Sequence, residues 1–148
     1  MTTAEFDEEM LSTRKLLERV PEDKFGWQPH EKSLTLGRLA NHVAAIPMYP
    51  SLVIHQRGTR PAEAASKVEL LESFNRNVAE GRAALAGAED RMNQVMPVTC
   101  TVSKPLGAIL RKAVMNHLIH HRGQLTVYLR LLDVAVPGMY GPSADERS

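Results

Sequence analysis

Residues 116–130 read NHLIHHRGQLTVYLR, and the reading of this stretch decides both the fold and the site. As a helix it puts His117, His121, Gln124, Tyr128, Leu129 and Leu132 on one face. Upstream, Leu106, Ile109, Leu110 and Ala113 extend the same face. Ser103 suits the cap position, and Pro105 is tolerated in a first turn. The pattern predicts a helix of about 29 residues, or ~43 Å at 1.5 Å per residue. Its apolar stripe is interrupted at the middle by polar groups, which makes that middle a candidate site.

His117 and His121 are four apart, so on a helix they face the same way about one turn apart. Two imidazoles at that spacing can hold one metal ion, as in helical zinc motifs. His120 makes an i, i+3 pair with His117 and spacing leaves it open. His121 is preferred because it lies between His117 and Leu125 on the inner side. An HxxHH cluster also suits a solvated polar patch, so spacing alone decides little.

Working outward, residues 35–46 predict a second helix capped by Thr35, with Leu36, Leu39, Ala40, Val43 and Ile46 as its apolar stripe. His42 borders that stripe and is the best candidate for a third ligand. Pro47 and Pro50 then end the helix, or kink it so that it restarts toward His55. On a continuous helix His55 would lie about 220° around the axis from His42 and point away. His30 sits in a loop and reads as a surface or capping residue.

The first helix spans residues 3–20, with Thr2 and Glu5 at capping-box spacing and Phe6, Met10, Thr13, Leu17 and Val20 on its inner face. Residues 21–33 form a loop carrying Trp27, the sole tryptophan, expected as a plug over one end of the core. Residues 56–65 read as a connection. Ten extended residues reach about 33–36 Å, enough for a crossover between parallel helices. Ser66 and Glu69 open a third helix with Val68, Leu71, Phe74, Val78 and Leu85 inward, broken by Arg82 and stopped at Gly87. Residues 88–102 read as an irregular or short extended arm, and residues 134–148 as a docked coil that frays at its end. The expectation is an all-α, single-domain four-helix bundle over residues 1–148, with a long crossover between helices 2 and 3 and no convincing sheet.

The composition fits a globular chain: 43% of its 148 residues are apolar. A net charge of +1 gives no footprint for nucleic acid. No stretch reads as a signal peptide or a membrane span. The single cysteine, Cys100, has no internal partner and reads as an inert residue of a cytoplasmic protein.

Residues 116–130 resemble the last helix of the DinB/YfiT-like family. LGRLANHVA at residues 36–44 resembles its second-helix motif, FGWQPHEKS at 25–33 the loop before it, and LLDVAVPGMYGPSADE at 131–146 its C-terminal coil. Only the helix pattern matches over residues 56–103. The resemblance implies an up-down-down-up bundle, frequent homodimers, and a divalent metal on three histidines, here His42, His117 and His121. Zinc, nickel or iron is the expected ion, since imidazole suits all three. Family members include bacillithiol-using thiol transferases and mycothiol-dependent isomerases, so a small-molecule substrate and a low-molecular-weight thiol are the expected partners.

Three protein ligands leave a tetrahedral ion one open position. Three neutral imidazoles favour an anion there, a thiolate or hydroxide. No HExxH glutamate accompanies His117, which weakens a peptidase reading. The expected function is thiol transfer or hydrolysis of a small substrate, and the alternative is a metal- or ligand-binding stress protein without turnover. Asn41 and Asn116 precede candidate ligands and read as packing residues, and Arg122 as the partner of an acidic group or helix end. Gln124 is expected near the inner face, where it could touch the groups that surround the ligands, and Trp27, Tyr49 and Tyr140 near the substrate mouth.

Overall fold

The computed structural model describes residues 1–58, 62–99 and 101–146. Among them the chain is mostly helical, with four helical stretches and one small two-stranded sheet. The first stretch is α1, Thr3–Leu17. The second joins α2, Leu36–Ala45, through a 3-10 turn at Ile46–Met48 to α3, Tyr49–Ile54. The third is α4, Lys67–Ala86. The fourth runs from α5, Leu106–Leu110, through a π-helical turn at Arg111–Asn116 into α6, His117–Leu131.

Three helix starts follow from side-chain caps. Thr2, Thr35 and Ser66 each accept a hydrogen bond from the backbone N–H three residues on, satisfying a donor that has no partner within the helix. Glu69 reaches back past the cap and accepts from the N–H of Ala65, the residue before Ser66.

Pro47 and Pro50 do not end the second stretch. Each lacks an N–H, so the ladder tightens into the 3-10 turn, where the N–H of Tyr49 bonds the carbonyl of Ile46, and the helix restarts. This kink brings backbone against α4. A Cβ on Gly81 would lie 1.8 Å from the carbonyl oxygen of Pro47, so only glycine allows the approach.

The core joins Phe6, Leu17, Leu39, Val43, Leu70, Phe74, Leu85, Leu110, Leu118 and Leu125, all essentially buried. Every residue of the expected stripes on α1 and α2 is buried. On α4 the face is rotated from the expected one. Val68 is exposed, while Leu70, Ser73, Asn77 and Gly81 turn inward. Asn77 is held there by donating to the carbonyl of Ala44 at 2.8 Å.

Two expectations need correction. The arm forms a sheet: β1, Val95–Pro97, pairs antiparallel with β2, Ser103–Pro105, in the register Val95 with Pro105, Met96 with Lys104 and Pro97 with Ser103. The fold is therefore not purely α-helical. Ser103, in turn, is a strand residue and not a cap. The N–H groups of Leu106 and Gly107 donate to the carbonyls of Gln94 and Met92, so the arm's backbone does the capping. The middle of the expected crossover, residues 59–61, and the reading of Cys100 fall outside the described residues. No helix among the described residues is long and apolar enough to cross a membrane.

Candidate metal centre

The π-helical turn ends at Asn116, and His117 is the next residue. Such turns insert one residue into the ladder and recur at functional sites. Downstream, the helix buries Leu118, Arg122, Leu125 and Leu129, which leaves His117 and His121 on the flank that faces α2. His42 meets them there from the last turn of α2.

The three imidazoles converge. One nitrogen of each lies within 4.8 Å of those of the other two, and all three residues are half-buried. The Nε2 atoms of His42 and His117 are 3.0 Å apart. Ring centroids are separated by 4.9 Å for His42 and His117, 4.4 Å for His42 and His121, and 4.7 Å for His117 and His121. Nitrogens bound to one tetrahedral ion at about 2.05 Å lie ~3.3 Å from one another. The observed spread brackets that value, so this donor set fits a divalent ion.

Gln124 fixes one of the rings. Its Oε1 lies 2.7 Å from Nδ1 of His121, so Nδ1 carries the proton and Nε2 keeps its lone pair. Burial pushes the His121 imidazole below its usual pKa, against the Gln124 hydrogen bond, and the charges of His117 and His120 push it the same way as burial. The neutral, metal-ligating form is favoured.

The other histidines stand apart. His120 is exposed, its ring 4.8 Å from that of His121, and it lines a separate apolar groove with Ile109, Ala113 and His117. His55 is exposed at the end of α3. His30 accepts from the N–H of Lys32 through Nδ1, as a loop cap does. Asn41 has a packing role: it donates to the carbonyls of Gly37 and Ala64 and accepts from the N–H of Ala64, tying the segment before α4 to α2. Asn116 is exposed.

Of the three aromatics expected at the mouth, Tyr49 borders the cluster, its ring centroid 5.7 Å from that of His117. Trp27 packs edge-on against Tyr128 and the core. Tyr140 does not belong to the mouth. Its hydroxyl bonds Arg122 and Glu9 on the side of α1. Arg122, 2% exposed, pairs with Glu9 and also donates to Thr13 and the carbonyl of Glu9. Its acidic partner was expected and its burial was not. The residues at 110, 114, 118 and 122 step by four, a signal hidden by the charge at the end of the series.

A cavity of about 150 Å³ opens beside the cluster, lined by His42, His121, Arg38, Glu63 and Ser73 among others. Sequence reasoning did not single out the last three, because their elements meet only in the folded chain.

A protein of Bacillus subtilis (strain 168), "Uncharacterized protein YrdA", is 29% identical over 140 residues, covering 91% of this chain and 83% of its own length. A solved dinb-like protein from Bacillus cereus ATCC 10987 superposes with a TM-score of 0.76 at 22% identity, covering 93% of this chain and 94% of its own. A dinb-like protein from Bacillus subtilis gives 0.75 at 20% identity, covering 93% and 95%. The two solved structures establish the shared fold. The model of the DinB family matches residues 3–147, and a match of that extent makes this chain a member of the DinB family.

Proposed function

We propose that this chain is a metal-dependent enzyme that transfers a low-molecular-weight thiol, or hydrolyses a small substrate, at a site held by His42, His117 and His121. The observation that carries the reading is the convergence of three imidazoles beside a cavity. Zinc, nickel or iron suits such donors. When bound, the ion supplies a Lewis acid that keeps a thiol or water deprotonated near neutral pH.

The chain's residues do the rest. Gln124 holds the proton of His121 on Nδ1 and so leaves the Nε2 lone pair available to an ion. Asn41 anchors the segment that walls the cavity. The uncharged ligand set favours an anion as the remaining partner, which suits thiolate or hydroxide. The test is turnover of an electrophile with small thiols by metal-loaded protein. Activity should vanish on chelation and in His42→Ala. A loaded protein that holds its metal tightly and turns over no thiol would leave the non-catalytic binding role in place.

Two further readings belong to the same proposal. Helices running up-down-down-up agree with the order of cross-helix bonds. Asn41 and Ala44 meet Ala64 and Asn77 in ascending order, while Asp7 and Arg14 meet Arg82 and Asn75 in descending order. A homodimer is supported by the family resemblance.

A further inference from the structure

Arg38 lies one helical turn before His42, so the two side chains share a face of α2. Arg38 lines the cavity beside the cluster. Five N–H donors in a planar fork match a carboxylate bidentately. Among the described residues that fork has one acidic neighbour, Glu63, at 3.9 Å, beyond hydrogen-bonding range, with both side chains more than half exposed. The pair is loose enough to be displaced by a ligand.

The opposite wall supplies a second, independent feature. Ser73 of α4 is nine-tenths buried and lines the same cavity, and its hydroxyl has no hydrogen-bond partner among the described residues. No buried polar side-chain atom among the described residues lacks a partner, so the Ser73 hydroxyl keeps access to solvent on the cavity side, where a ligand atom can bond it. The cavity is small, about 150 Å³, well below the size of pockets for drug-sized ligands.

We infer that this cavity is a carboxylate subsite: the substrate is a small anion whose one end reaches the histidine cluster and whose other end, a carboxylate on a short linker, is taken by the Arg38 fork and the Ser73 hydroxyl. Glu63 is the competing carboxylate. It sits where the ligand's own would go, so a bound substrate displaces it and a neutral analogue does not. This subsite selects substrates for the activity proposed above and rests on that reading for the role of the cluster.

The experiment compares 3-mercaptopropanoate with its neutral isostere 3-mercaptopropanamide, binding each to cobalt-loaded protein by calorimetry. The acid should bind about ten-fold more tightly or better, the strength of hydrogen bonds to a charged group. Arg38→Gln should bring the ratio near one with metal content unchanged, Ser73→Ala should weaken the acid alone, and Glu63→Gln should widen the ratio. An unchanged ratio in Arg38→Gln would overturn the subsite while leaving the metal site intact. If the wild type holds no cobalt, the proposed function fails and the subsite is read separately, from the Arg38 Nε–H resonance of the metal-free protein. That resonance should move with the acid and not with the amide, and one that moves with neither overturns the inference.

Discussion

His121 and His120 are neighbours in sequence with opposite expected roles, and the difference lies in what each ring touches. His121 is half-buried, donates from Nδ1 to Gln124 and belongs to the set that converges with His42 and His117. His120 is exposed and outside the converging set. A partner that fixes the second nitrogen of a ligating histidine typically contributes 10–100-fold in metal affinity. Gln124→Ala should therefore weaken metal binding by about 10-fold or more, measured by competition with a chromophoric chelator, whereas His120→Ala should leave affinity within about two-fold. Much of this was legible: the i, i+4 spacing singled out the pair, and the stripe around Leu36 and Val43 singled out His42. Arg122 was less so. Its charge disguised a position in the buried series, because a hydrogen-bonded guanidinium paired with Glu9 can occupy a place that pattern reading reserves for apolar residues.

Elements were legible where burial is purely apolar. Helices α1 and α2 bury the residues their spacing assigns. Helix α4 turns Ser73, Asn77 and Gly81 inward, and each answers to a partner that one segment cannot reveal: a cavity, the carbonyl of Ala44 and the carbonyl of Pro47. The π-helical turn and the two-stranded ribbon were hidden for the same reason, since the ribbon's partner strand and the donors at the start of α5 come from separate stretches. Gly81 allows a test. By helix propensity Gly81→Ala gains ~1 kcal/mol. Forcing a methyl against a backbone carbonyl costs ~1–3 kcal/mol or more, and a rigid backbone cannot swing aside as a side chain does. The variant should be less stable in urea denaturation, and a stabilised variant would contradict the close approach of the kink to α4.

At the scale of the molecule, the C-terminal coil is fastened by charge. Asp145 accepts from Arg130 and from the N–H of Val136, which hold its carboxyl at about 2, below the usual 3.8. Glu146 is lowered by the N–H groups of Gly138 and Ser143. A carboxylate lowered on folding stabilises the folded form above its unfolded pKa and loses that contribution as pH falls through the folded one. The coil should stay docked at pH 5 and loosen between about pH 4 and 2. Amide hydrogen exchange of Val136 and Gly138 should follow that window, and protection unchanged at pH 2 would remove Asp145 and Glu146 as the fasteners.

The four helical stretches, the kink at Pro47 and the π-helical turn all serve to bring one imidazole of α2 against two of α6. Elemental analysis of purified wild type and His117→Ala tests that most directly. The account predicts about one divalent ion per chain in the wild type and its loss in the variant, with the helical circular dichroism signal retained. Equal metal content in the two proteins would contradict it.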